Sequence, residues 1–165
     1  VERILKEQSY RDLLLFTAGI NLGLRISDLL SLNVRDVKDK DYIELIEKKT
    51  KKYKKIPINA KLKSMFSEYT KDMKKRSPLF LTTRKKRLDR ITSYNIIKKA
   101  CKDAGIPEKI GTHTMRKTFG YHHYNKYNNI ALLQKIFNHS SMGITLRYIG
   151  INQEQIDSSY TNLIL

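Results

Sequence analysis

Apolar residues recur at helical spacing near the start of the chain, where Tyr10, Leu13, Leu14, Phe16 and Thr17 follow Ser9, a residue suited to cap the helix they predict. Gly19 and Gly23 punctuate the pattern before Ile26, Leu29, Leu30 and Leu32 resume it. The first 33 residues therefore read as helix, turn, helix. Between Val34 and Ile58 the marks change to Val34 and Val37, then Tyr42, Ile43, Leu45 and Ile46, then Ile56 and Ile58. Bounded by Asp and Lys turns, they predict three short strands in a small antiparallel sheet, with Pro57 near a strand end where a missing amide donor is tolerable. Leu62, Met65, Phe66 and Tyr69 mark a further helix that stops before Ser77-Pro78. From Thr92 onward helices dominate: Ile96, Ile97 and Ala100 before Gly105, a segment opened by Thr112, then Ile130 to Phe137 and Ile144 to Ile149. The fold class is thus α+β and mainly helical, a three-stranded antiparallel sheet on a helical bundle. We expect one domain over residues 1–150 and a tail over 151–165. In that tail Ile156, Tyr160, Leu163 and Ile164 imply docking, either on the chain's own body or on a second copy.

Composition narrows the setting. A chain of 165 residues with 40% hydrophobic positions, 7 Gly and 3 Pro is long enough for one domain with a real core. Its longest apolar runs, such as Leu13 to Phe16, fall far short of the ~18–20 residues that a bilayer span needs, so no membrane association is expected. The lone Cys101 permits neither an internal disulfide nor a CxxC clip, which fits a reducing cytoplasm; it is most simply a small buried apolar residue.

Charge changes the picture more. The formal net charge is +17, and residues 38–102 carry 22 Lys+Arg against 7 Asp+Glu, +15 of the total. Two clusters stand out, Lys48-Lys49-Thr50-Lys51-Lys52-Tyr53-Lys54-Lys55 and Arg84-Lys85-Lys86-Arg87. Self-repulsion of this kind is offset by a polyanion that releases counterions on binding. Anionic lipid fits less well, because the clusters lie in a hairpin and a loop rather than on an amphipathic helix. Nucleic acid is the expected partner, with Lys51, Lys52, Lys54, Arg84, Lys85, Lys86 and Arg87 as phosphate contacts that position a duplex without reading bases.

Four groups place chemistry on predicted turns and helix ends. Arg25 opens a helix in Gly23-Leu24-Arg25-Ile26-Ser27-Asp28. His113 and Arg116, three residues apart, share a helix face at about 5–6 Å between Cβ atoms. His139 follows Asn138 at a helix junction, and Tyr148 stands beside Arg147. Taken in order and with a hairpin lysine, these residues resemble the signature of the tyrosine recombinases, the phage-integrase family of DNA strand-exchange enzymes: an Arg in a GLR segment, a hairpin Lys, HxxR, a later His or Trp, and a Tyr. The resemblance covers nearly the whole chain. Family hairpins commonly run Lys, seven residues, then Pro, and counting back from Pro57 selects Lys49, with Lys51 as the fallback. Phe137-Asn138-His139 departs from the usual Leu-Gly-His, but Asn tolerates a left-handed turn next best after Gly. The separate N-terminal DNA-clamping domain that such recombinases generally carry is expected to be missing from this chain.

The resemblance implies a tyrosine-recombinase catalytic-domain fold and a site-specific recombinase or integrase activity without cofactor, metal or ATP. Tyr148 would be the nucleophile, and Arg25, Arg116 and His139 donors to the phosphate oxygens. Lys49 would protonate the leaving 5′-oxygen, and His113 would assist as general acid or base. Its expected partners are double-stranded DNA attachment sites, a homotetramer on DNA formed from isolated monomers, and an accessory directionality factor. A type IB topoisomerase-like relaxase and a non-catalytic DNA-binding module of the same fold remain as alternatives. His122-His123 invites a metal reading, but adjacent helical residues point about 100° apart, so surface or core-rim histidines are expected.

Overall fold

The computed structural model describes residues 1–106, 110–111, 113–151 and 161–162. Thr112, and Ile156, Tyr160, Leu163 and Ile164 of the tail, lie outside the described residues. The chain forms two compact units, Val1–Arg116 and Lys117–Leu165.

In the first unit a short helix, α1 (Glu2–Gln8), precedes the helix expected from the pattern. It buries only Leu5, which is why no apolar periodicity announces it. Helix α2 (Tyr10–Leu22) buries Leu13, Leu14, Leu15, Ala18 and Leu22, so it is surrounded rather than amphipathic and forms the centre of the core. Ser9 does stand at its N-cap, but through the backbone: its side chain makes no capping bond, and its carbonyl accepts from Leu13 N at 3.0 Å. Gly23 ends α2 in the left-handed conformation, at φ 59°. Helix α3 (Ile26–Leu29) follows immediately after Arg25.

The expected first strand is instead a turn of 3₁₀ helix, Val34–Asp36. Asn33 and Asp36 form a capping box that bends the chain there, and the three-residue separation of Val34 and Val37 is a 3₁₀ repeat rather than a strand repeat. Among the described residues the sheet therefore has two strands, β1 (Tyr42–Ile46) and β2 (Tyr53–Pro57). They pair antiparallel, with Ile43 opposite Ile56, Leu45 opposite Lys54 and Ile46 opposite Tyr53. Ile43 is fully buried, so Leu45, Lys54 and Ile56 point inward with it while Tyr42, Ile46, Tyr53 and Lys55 face out. Helix α4 (Ala60–Thr70) is capped by Asn59 and buries Leu62 and Phe66. Helix α5 (Arg90–Asp103) starts two residues before Thr92, is capped by Asp89, and buries Ile97 and Ala100.

Helix α6 (Thr114–Tyr127) contains the boundary between the units. In the second unit α7 (Ile130–Phe137) and α8 (Met142–Ile149) complete the described elements, each opened by a side-chain cap, Asn129 and Ser141. Their core is Leu133, Phe137 and Ile149, with Phe119, Tyr124 and Tyr148 packed around it. His122 is exposed, whereas His123 sits in a row with Phe119 and Tyr127 at ring separations of 5.6 and 4.8 Å, as a rim histidine would.

Gly120 lies where α6 meets this core, and a Cβ there would stand 2.7 Å from Ile149 Cγ2 and 2.8 Å from Phe137 Cε2. Overpacking of this kind costs about 1–3 kcal/mol, more than the ~1 kcal/mol of helix propensity that alanine adds. Gly120→Ala is expected to lower the urea midpoint; a raised midpoint would refute the close packing.

Candidate functional site

The turn that ends α2 sets the first part of the site. With Gly23 left-handed, its carbonyl accepts from Arg116 Nη1, and two residues later Arg25 adopts the extended conformation that opens α3. Most side chains at position 23 would strain that turn, so glycine is the favoured residue there. Arg116 is only 3% exposed. His113 lies exposed one residue before α6.

The hairpin turn supplies the second part. It closes through Glu47 N to Lys52 O and Lys51 N to Glu47 O, both at 2.9 Å, with Lys51 at φ 57°. Lys49 and its neighbours Lys48, Lys51 and Lys52 are exposed along it. Two buried carboxylates hold this turn from below. Asp28 Oδ1, on α3, accepts from Lys48 N at 2.9 Å. Glu47 is fully buried; its Oε1 meets Arg25 Nη1 at 3.0 Å and Lys54 Nζ at 3.6 Å, and its Oε2 accepts from Thr50 Oγ1 at 2.6 Å.

Lys54 was grouped by its sequence with the phosphate-contacting lysines, but strand parity turns it inward, and its side chain is 13% exposed. Burial pushes its ammonium below the ordinary lysine value; Glu47 opposes that shift, and the positive charges of Arg116 and Arg25 reinforce it. Lys54 therefore belongs to the same charged cluster as Arg25 and Arg116. Neither Glu47 nor Asp28 stood out among so many lysines. The available signal was parity: Lys54 and Ile56 share a face, and an inward lysine needs an anion.

The second basic cluster also divides. Thr82 and Lys86 close a tight turn, Thr82 N to Lys86 O at 2.7 Å, with Lys85 at φ 57°, and it leaves Arg84, Lys85 and Lys86 exposed. Arg87 is exposed as well, but its guanidinium turns back. Its guanidinium donates to the carbonyls of Leu30 at 2.6 Å and Leu32 at 3.0 Å and to Asn33 Oδ1 at 2.8 Å, tying down the chain after α3.

In the second unit Asn138 takes the left-handed conformation, φ 52° and ψ 41°, and so performs the turn for which glycine would be the usual choice. His139 follows. The Thr145 hydroxyl donates to the Ser141 carbonyl at 3.1 Å, which leaves its oxygen to accept from His139 Nδ1 at 3.1 Å. That arrangement favours the tautomer with its proton on Nδ1. The Tyr148 ring meets His139 edge to face at 5.1 Å and Phe137 at 5.5 Å, and Lys117 Nζ lies 5.7 Å from its centroid. The first unit thus gathers Arg25, Arg116 and the turn of Lys49, and the second gathers His139 and Tyr148.

Residues 1–155 match the phage integrase family. The chain is 49% identical over 161 residues to the probable integrase/recombinase YoeC of Bacillus subtilis (strain 168), covering 97% of this chain and 88% of that protein. It is 28% identical over 160 residues to the tyrosine recombinase XerC of Thermodesulfovibrio yellowstonii, covering 91% of this chain and 53% of that one, about half its length. The crystal structure of XerA recombinase has the same fold, with a TM-score of 0.78 over 97% of this chain and 58% of that chain at 22% identity. Motif order, fold and a match along nearly the whole chain converge: the chain belongs to the phage integrase family, as a tyrosine recombinase catalytic domain.

Proposed function

We propose that this domain cleaves and rejoins double-stranded DNA at specific attachment sites through a covalent phosphotyrosine. The Tyr148 oxygen attacks the scissile phosphorus, the P–O5′ bond breaks, and a 3′-phosphotyrosine and a free 5′-hydroxyl result. His113 takes the phenolic proton and Lys49 gives one to the departing 5′-oxygen. A 5′-hydroxyl from another strand then reverses the steps. One phosphodiester replaces another throughout, so the sequence needs no ATP.

A phenol with a pKa near ~10 is a weak nucleophile at neutral pH, so the reaction depends on cations fixed around the phosphate. Arg25 and Arg116 are forked donors suited to the nonbridging oxygens, and His139 adds a donor through Nε2 when it is protonated. Glu47 supplies one negative charge against both Arg25 and Lys54, so the cluster keeps a positive excess suited to a phosphate. The observation that carries the reading is the gathering of Arg25, Lys54 and Arg116 in one cluster. Assembly of four copies on two DNA sites and an accessory factor for direction are part of the same proposal, as is a tail beyond residue 150 that joins neighbouring copies.

Incubated with a nicked duplex taken from the DNA junctions flanking its own gene, the protein is expected to form a covalent adduct. Tyr148→Phe should form none, and Arg116→Ala should slow adduct formation by at least about 10²-fold with affinity largely kept. An adduct from Tyr148→Phe would sink the assignment.

The two basic loops give a separate expectation. Replacing Lys85 and Lys86 by alanine should reduce the slope of log affinity against log salt by about 2, roughly 0.9 for each phosphate contact, and equally on every DNA sequence. Arg87→Met should leave that slope unchanged while lowering stability, because the guanidinium is engaged with Leu30, Leu32 and Asn33. Fluorescence anisotropy across a salt series, beside thermal unfolding, separates the two outcomes.

A further inference from the structure

Glu47 takes no part in the chemistry proposed above, yet its carboxylate joins two residues that do. One oxygen is ion-paired to Arg25 at 3.0 Å; the other accepts the Thr50 hydroxyl at 2.6 Å, beside Lys49 in the turn. Its backbone N–H and carbonyl close that same turn through Lys52 and Lys51. We infer that Glu47 is a positioning residue that sets the phosphate-holding Arg25 and the turn carrying Lys49 in register for DNA cleavage, an inference that rests on the recombinase reading.

The physical reason lies in side-chain freedom. An arginine or lysine on its own samples many rotamers, and a misplacement of ~1 Å in a reacting group can cost about 10²-fold in rate. The ion pair restricts where the Arg25 guanidinium can sit, and the hydrogen bond from Thr50 holds the turn from which Lys49 extends. A carboxylate is a suitable anchor because its two oxygens engage both groups at once, one by ion pairing with Arg25 and the other by accepting the Thr50 hydroxyl. A fully buried carboxylate needs a counter-charge of its own, and Lys54, brought inward by the alternation of β2, stands 3.6 Å away. An ion pair that served stability alone would have no need to reach both residues.

The experiment compares wild type, Glu47→Gln and Thr50→Val on two nicked duplexes from the junctions flanking the gene. One duplex has the ordinary 5′-bridging oxygen and the other a 5′-bridging sulfur, which leaves as a thiolate and needs no proton. Adduct rate, DNA affinity and thermal unfolding are measured for each. Glu47→Gln should slow cleavage of the oxygen substrate by about 10²-fold with affinity within about threefold, and sulfur should restore only the part owed to Lys49. Thr50→Val, a change at a partly exposed turn residue, should slow the oxygen substrate about tenfold and be fully restored by sulfur. Where Glu47→Gln does not fold, Thr50→Val decides. Adduct rates within twofold of wild type for the folded variants, or a Thr50→Val defect that sulfur leaves unchanged, would overturn the positioning role. A wild-type protein that forms no adduct on either duplex would overturn the recombinase reading itself, and the positioning role with it.

Discussion

A single buried carboxylate organises the charged side of the first unit. Glu47 has no access to solvent, and an ion in that position is held only at a cost of several kcal/mol unless its partners are well placed. Arg25 and Lys54 supply opposite charge at one oxygen, and the Thr50 hydroxyl hydrogen-bonds the other. The inward lysine, the closed hairpin turn and the orientation of Arg25 all depend on that arrangement. Removing one partner of such a pair typically costs about 3–5 kcal/mol, because a charge is left buried alone. The site is therefore coupled to the packing beneath it.

Backbone turns do the rest of the positioning. Gly23 ends α2 in a conformation that offers its carbonyl to Arg116 and brings Arg25 to the start of α3. Asn138 ends α7 in the same left-handed region, and His139 is then held between its own backbone bond to Gln134 and the Thr145 hydroxyl. In both units a candidate site residue follows within two positions of a helix stop. The end of a rigid element fixes its backbone, and a neighbouring side chain holds it, Glu47 for Arg25 and Thr145 for His139.

The large positive charge resolves into parts with different work. Arg84, Lys85 and Lys86 project from a tight turn and suit phosphate contacts along a duplex. Arg87, next in sequence, is structural, and Lys54 lies in the buried cluster. Cations adjacent in sequence and identical in charge thus sit in different places: exposed on a turn, bonded to the backbone, or buried beside a carboxylate. Net charge points to the partner but does not distinguish these roles.

Much was legible from residues alone. The helices with apolar stripes, the sheet between Tyr42 and Pro57, the left-handed Asn138 and the ordered set of Arg25, His113, Arg116, His139 and Tyr148 follow from local spacing and motif order, because helix periodicity and turn chemistry act within a few residues. Helix α1 was hidden because it buries one side chain, and Val34 to Val37 resembled a strand because two valines three apart also suit a 3₁₀ turn. Only the tertiary structure decided which basic residues face inward and what neutralises them. Asp28 reaches Lys48 across 20 positions and Arg87 reaches Leu30 across 57, and no local pattern encodes partners so far apart. The sequence alone thus determined the family and nominated the candidate residues for its chemistry, since both are carried by short motifs. The carboxylate that holds Arg25 beside the hairpin turn became visible only once burial and distance were known, because its function lies in whom it meets.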